Sequence, residues 1–136
     1  MINNLMDFDK FCSEVLKLNP KIRFAGVYST VNGKIWYKMQ EGITKIFDDE
    51  QTKDSMMRGY MRWKNRMHAA DLIGAPIYTM TKYPKINRIT LPCGGNALIM
   101  ISTQTDLEPV EIVDAVCELR KKHEDDKDYE PRSQTC

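Results

Sequence analysis

Residues 26–37, GVYSTVNGKIWY, contain two β-prone runs joined by the dipeptide Asn32-Gly33. This dipeptide tolerates the positive φ angles of a two-residue type I′ turn, so it predicts a β-hairpin with strands over residues 22–31 and 34–38. Short connections of this kind imply antiparallel pairing. The hairpin is the starting point from which the rest of the fold is predicted.

Helical and strand-like patterns follow one another on both sides of the hairpin. Asp7 can cap a first helix that stops at Asn19-Pro20, and a second, long helical pattern begins at Asp48 or Asp49 and reaches about Leu72. Three further strand-like runs cover residues 77–80, 86–91 and 97–103, and a last helix opens with Pro109. The order αββαβββα predicts an α+β fold, with a five-stranded, mostly antiparallel sheet and helices on both faces.

The length of 136 residues fits one domain that buries its own core. We expect this single domain to span residues 1–122. Residues 123–136, HEDDKDYEPRSQTC, are polar, carry five acidic residues against two basic ones and lack periodicity, so they are predicted to form a disordered tail.

Several functional classes are disfavoured by composition. The four cysteines are far apart and only two histidines accompany them, so no metal site is predicted. The chain shows no signal peptide and no apolar run long enough for a membrane span, and we therefore expect a cytoplasmic protein that does not contact membranes. A net charge of +1 argues against a dedicated nucleic-acid partner.

No nucleotide, hydrolase or metalloprotease motif is present, so neither an enzyme nor a cofactor is predicted. Cys93 in the segment LPCGG resembles an exposed nucleophile, because flanking glycines allow close approach. A nucleophile would still need a base, and nothing connects His68 or His123 to this cysteine. Cys93 is therefore interpreted as a turn residue.

The long helix carries more apolar surface than a sheet contact requires. Met56, Tyr60, Trp63, Met67 and Ala70 form one stripe suited to packing on the sheet, and Met57, Met61, His68 and Leu72 form a second stripe beside it. Methionine side chains deform readily, so the second stripe predicts a protein-binding face. The alternative is that the first helix, the last helix or residues 41–47 cover this stripe within the chain.

A basic contact face is also considered on the same helix. Arg58, Arg62 and Arg66 recur at four-residue intervals and are candidates for phosphate contacts. A charged stripe opposite an apolar one is common on surface helices, and no nucleic-acid-binding motif accompanies it. The solvated-face interpretation is therefore favoured.

The order αββαβββα, the GVYSTVNGKIWY hairpin and the final strand-helix pair resemble the roadblock/dynein light-chain family over about residues 5–122. This resemblance implies a non-enzymatic protein that forms homodimers through its long helix and third strand, and many members bind or regulate small Ras-like GTPases. The resemblance places Met57, Met61, Lys64, His68 and the edge strand Ile77, Tyr78, Thr79 and Met80 in the interface. The bulky Trp63 and the arginines depart from the family, whose long helices are often rich in alanine.

Three hypotheses of function follow, the least favoured being nucleic-acid binding through the basic middle region from Lys53 to Arg88. The leading hypothesis is a homodimeric adaptor or regulator of a small Ras-like GTPase, with itself and that GTPase as partners. Profilin-like, longin and PAS-like domains share related layouts, so the alternative is a ligand-sensing domain. Its pocket would be lined by Tyr28, Trp36, Tyr60 and Trp63.

Overall fold

The computed structural model describes residues 7–126, with side chains described as far as His123. The helices are α1 (Phe8–Lys17), α2 (Asp49–Arg66), α3 (Ala70–Ile73) and α4 (Pro109–Asp126), and a 3-10 turn (Met67–Ala69) joins α2 to α3. The strands are β1 (Ile22–Ser29), β2 (Ile35–Met39), β3 (Thr79–Lys82), β4 (Asn87–Pro92) and β5 (Ala97–Thr103). The predicted order of elements is confirmed.

The five strands form one sheet in the order β2-β1-β5-β4-β3, and every neighbouring pair is antiparallel. The predicted α+β fold with an antiparallel sheet is therefore confirmed. β3 lies at the outer edge and pairs with β4 from Thr79 onward, so it begins two residues later than the sequence predicted. Ile77 and Tyr78 lead into the strand and lie outside it.

The helices are divided between the two faces of the sheet. Apolar residues of α1 and α4, such as Phe11 and Val116, pack with one face of β1, β4 and β5, where Val27 belongs to the core. Met56 and Trp63 of α2 pack with the other face, where the adjacent residue Tyr28 lies. Successive residues of a strand point to opposite faces, so two separate apolar clusters form on the two sides of one sheet.

The hairpin forms, but its turn differs from the predicted two-residue type I′ turn. Four residues separate Ser29 from Lys34, and the backbone N–H of Ser29 donates to the Lys34 carbonyl over 2.9 Å. The hydroxyl of Ser29 accepts hydrogen bonds from the backbone N–H groups of Val31 and Asn32. The longer turn follows from these side-chain bonds, and Gly33 adopts the positive φ of 74° that it needs.

The last helix continues beyond the predicted domain boundary at residue 122. α4 extends to Asp126, and His123 is buried, with its Nε2 atom 2.5 Å from Glu14 Oε1 and its ring edge-on to Phe11. The predicted boundary at residue 122 is too early, because the polar sequence from His123 onward does not indicate this contact with α1. The rest of the predicted tail, residues 127–136, lies outside the described residues.

Between residues 7 and 126, no helix combines the length and the apolar character needed to cross a membrane. The cytoplasmic location remains a prediction.

Candidate interaction surface

α2 begins where the sequence predicts and is held at its N-terminus by side-chain hydrogen bonds. Asp48 caps the helix by accepting from the backbone N–H of Gln51, whose side chain accepts in return from the Asp48 backbone. The Tyr37 hydroxyl on β2 donates to the Asp49 carboxylate over 2.5 Å, and this bond raises the pKa of Tyr37 and lowers that of Asp49. The start of α2 is thereby fixed over the β2 side of the sheet.

Small residues let α2 approach the sheet closely. A Cβ atom on Gly26 of β1 would lie 2.9 Å from the Met56 terminal methyl, and one on Gly59 of α2 would lie 3.1 Å from that of Met100. Met56 and Trp63 are buried there, as the first stripe predicts. Met67 is exposed instead, because α2 ends at Arg66 and the 3-10 turn rotates the following residues off the helical stripe.

The second stripe of α2 remains uncovered. Met57 and Met61 are 44% and 52% exposed. α1 and α4 pack on the opposite face of the sheet, and Phe47, at the end of the 41–47 loop, lies against Arg88 of β4. The alternative in which the chain's own elements cover this stripe is therefore wrong for the described residues.

Lys64 and His68 are also solvent-exposed near the end of α2. The Lys64 ammonium lies 5.4 Å from the centre of the Tyr60 ring, a cation-π distance. The ring Nδ1 of His68 lies 2.7 Å from the Asn65 carbonyl oxygen, within the 3-10 turn. Neither contact removes the side chain from solvent, so both residues are available to a partner.

The edge strand and the segment before it form a further exposed apolar region. Leu72 and Ile73 in α3 are 89% and 84% exposed, and Ile77 follows at 54%. Thr79 and Met80 pair with Thr90 and Ile89 of β4, and no strand among residues 7–126 pairs with the other side of β3. The candidate surface predicted from the sequence did not include Ile73. Its position as an apolar residue directly before Gly74, which ends the helix, could have indicated it.

The Met57 side of α2 and the β3 strand are not brought together. Met57 borders a shallow depression with Tyr28 and Gly33 at the hairpin end of the sheet. The opposite flank of α2 faces β3 and β4 and carries Arg62 and Arg66. The predicted surface residues thus occupy two regions, one on the outer face of α2 and one along the β3 edge.

The three arginines of α2 have different surroundings. Arg58 forms an ion pair with Asp54 over 2.8 Å, and this hydrogen bond raises the pKa of the Arg58 guanidinium. Arg62 and Arg66 instead line the groove between α2 and the β3-β4 end of the sheet. The three residues therefore do not form one contact face.

The pocket proposed for a ligand sensor does not form. Tyr28 and Tyr60 stack with their ring centres 5.0 Å apart on the α2 side of the sheet. Trp36 packs 4.9 Å from Phe8 on the α1 side, because it lies opposite Val27 in the hairpin register. The sheet separates these aromatics, so the predicted lining of Tyr28, Trp36, Tyr60 and Trp63 is wrong.

Cys93 lies just after β4, where its backbone N–H donates to the Ala97 carbonyl over 2.8 Å, and its side chain is buried in the α1-α4 core. The position agrees with the predicted turn residue and is unsuited to an exposed nucleophile. Within the described chain, no three or more His, Cys, Asp or Glu side chains are grouped so as to hold a metal ion.

No family model matches the sequence, and no curated protein matches it. Solved structures do match it in fold. The chain is similar to a Roadblock/LC7 domain from Streptomyces avermitilis, with a TM-score of 0.65, 12% identity and coverage of 85% of this chain and 93% of the other. It is also similar to the gliding protein MglB from Thermus thermophilus, with a TM-score of 0.64, 12% identity and coverage of 87% and 85%.

MglB from Myxococcus xanthus gives a TM-score of 0.63 at 14% identity, covering 88% of this chain and 83% of that protein. At such low identities the likeness concerns the fold alone. The roadblock-like fold predicted from the resemblance is confirmed.

Proposed function

We propose that this chain, which has the fold of the roadblock/LC7 domains, is a non-enzymatic interaction module that pairs with a second copy of itself. In the same proposal, a further protein binds the outer face of α2. That partner is a small Ras-like GTPase, the class suggested by the family resemblance.

The observation that supports self-association is an exposed apolar segment beside an unpaired strand edge. The exposed apolar residues of this segment are Leu72, Ile73, Ile77 and Tyr78, and β3 begins at the next residue, Thr79. An open edge presents unpaired backbone N–H and C=O groups, and an adjacent apolar patch favours burial. A second copy presents the same strand edge and the same apolar patch. A two-fold symmetric contact therefore pairs the two edges and buries the two patches.

The observation that supports a further partner is the separate position of Met57 and Met61. They lie on the outer face of α2, and Lys64 and His68 extend this surface toward its C-terminus. Contact along the β3 edge leaves Met57 uncovered, because it projects toward the hairpin end of the sheet. Flexible methionines suit a binding surface that adapts to a partner.

Self-association is tested by sedimentation equilibrium at micromolar concentration. We expect a mass of two chains for the native protein and of one chain for Ile77→Glu, because burying an unpaired carboxylate in the contact is costly. Val110→Glu is the matched control, since Val110 is apolar and 56% exposed, close to the 54% of Ile77, but lies in α4 on the other face of the sheet. A monomeric native protein, or a dimeric Ile77→Glu variant, would contradict the proposed contact.

Partner binding is tested with a Ras-like GTPase encoded by the same genome, in its GDP and GTP-analogue forms. We expect saturable binding to the native protein, weakened at least about tenfold by Met57→Glu or Met61→Glu and not by Val110→Glu in α4 on the other face of the sheet. Binding that survives both methionine substitutions would place the GTPase elsewhere on the chain.

A further inference from the structure

A polar groove runs between α2 and the β3-β4 end of the sheet. Arg62 and Arg66 line it from the helix, and Arg88 lines it from β4. The groove is narrow and partly open to solvent, with a cavity volume of about 40 Å³. Hydroxyl groups contribute to the remaining lining, from Thr79, Thr81, Tyr83, Thr90 and Ser102.

The polar character of this sheet region follows from the strand register. Thr79 pairs with Thr90, and Thr81 pairs with Arg88, so these four side chains share the face toward α2. The alternate residues of β4, such as Ile89, contribute to the α1-α4 core. At the β3-β4 end of the sheet, the face toward α2 therefore carries hydroxyl and cationic side chains, whereas the opposite face is apolar.

The groove concentrates positive charge. Three arginine residues line it, and no carboxylate is present among the described residues of its lining. Asp54, one acidic residue of α2, is engaged with Arg58 outside the groove. Like charges held in one groove repel one another, and the attraction of a bound anion to each of them offsets that repulsion.

One wall of the groove is held in position. The Arg88 guanidinium donates from Nη2 to the Ser55 hydroxyl, and its Cζ lies 5.9 Å from the centre of the Phe47 ring. Arg88 is therefore oriented by contacts on two sides, while Arg62 and Arg66 are solvent-exposed and free to adjust. Arg88 is thus an ordered hydrogen-bond donor, and Arg62 and Arg66 are two donors whose positions can adjust.

We propose that this groove binds a phosphate group, as inorganic phosphate or as the phosphate monoester of a small molecule. Guanidinium forks match the oxygens of phosphate, and hydroxyl groups add further donors. Three guanidinium groups also match the charge of a phosphate dianion better than that of a single carboxylate. The inference does not rest on self-association, although the groove and the proposed contact share β3, from which Thr79 and Thr81 line the groove.

The test is isothermal titration of the full chain with inorganic phosphate and, separately, with glycerol 3-phosphate at constant ionic strength. We expect saturable binding that Arg62→Ala and Arg66→Ala each weaken by at least about tenfold. Arg58→Ala is the matched control, because it removes the same charge from the same helix at a residue paired outside the groove. Arg62→Lys keeps the charge but loses the fork, so its affinity should fall between those of the native protein and Arg62→Ala.

The comparison of the two ligands identifies the source of the phosphate. Tighter binding of glycerol 3-phosphate supports a phosphorylated small molecule, and equal binding supports free phosphate. The proposal is overturned if phosphate produces no saturable signal, if Arg58→Ala weakens binding as much as Arg62→Ala, or if acetate binds as tightly as phosphate. Sedimentation of the same samples tests phosphate binding and self-association separately. A monomeric protein that binds phosphate would contradict the proposed dimer and leave the phosphate site supported.

Discussion

Met57 and Arg66 project from opposite flanks of α2. At about 100° per residue the two positions are roughly 180° apart on the helix. Met57 borders Tyr28 and Gly33 at the hairpin end of the sheet, whereas Arg66 borders the β3-β4 groove. One helix thus presents an apolar surface on one side and a cationic groove on the other.

The two flanks are expected to act independently. Met57→Glu should weaken binding of the GTPase partner and leave phosphate binding unchanged, and Arg66→Ala should do the reverse, because sites without shared contacts affect binding nearly additively. Titration of each variant with both ligands measures this separation. Loss of both activities in either variant would show that the flanks are coupled.

Burial predicts opposite outcomes for two neighbouring methionines. Met56 is 1% exposed between α2 and the sheet, so Met56→Ala should lower the free energy of unfolding by about 2–5 kcal/mol. Met57→Ala is the matched control and should change it by less than about 0.5 kcal/mol, because Met57 is largely in solvent in the single chain. Urea denaturation at a concentration where the protein is monomeric measures both values. Equal losses would mean that α2 does not pack as described.

The cap of α2 should contribute measurably to stability. Asp48→Ala removes the acceptor for the Gln51 backbone N–H, and we expect a loss of about 1 kcal/mol in the free energy of unfolding. Asp48→Asn keeps a capping oxygen without the charge and should stay close to the native value. Thermal and urea unfolding distinguish the two. A large loss in Asp48→Asn would assign the effect to charge and not to the hydrogen bond.

Contact between the first and last helices predicts a pH dependence. The hydrogen bond with His123 lowers the pKa of Glu14, so the folded state holds this carboxylate ionised more strongly than the unfolded state does. The resulting stabilisation is present above the ordinary glutamate pKa of about 4.3 and is lost as the pH falls through the lower folded value. Glu14→Gln should therefore lower stability by about 1 kcal/mol at pH 7 and reduce the decline at acid pH.

Urea unfolding of Glu14→Gln across the acid range measures this dependence. Glu118→Gln on the exposed face of α4 is the matched control, since it removes one carboxylate from a solvent-facing position. If both variants lose stability with pH in the same way as the native protein, the Glu14-His123 contact does not contribute to the pH dependence.

Much of the fold could be predicted because its signals are local. Asn32-Gly33 indicated the hairpin, Asp48 or Asp49 indicated the start of α2, and Pro109 indicated the start of α4. Turn and cap preferences arise within a few residues of chain, so they can be read before any tertiary contact is known. The turn length was wrong because hydrogen bonds to the Ser29 hydroxyl compete with the two-residue turn.

The candidate site was predictable only in part. Helical periodicity correctly indicated that Met57 and Met61 share an exposed face, because positions four residues apart lie one above the other. It could not indicate that Arg88 approaches Ser55 of α2, since the residues belong to different elements. The ligand-sensor alternative grouped Trp36 with Tyr28, although the strand register puts them on opposite sides of the sheet.

The sequence by itself determined the elements, their order, and which residues share a face of each helix or strand, since these depend on local backbone geometry and periodicity. Only the tertiary structure decided where those faces point. The close approach at Gly26 and Gly59 sets α2 across the sheet, and that placement turns Met57 toward the hairpin and Arg66 toward β3. Packing between elements distant in the chain, such as Glu14 with His123, joins the last helix to the first.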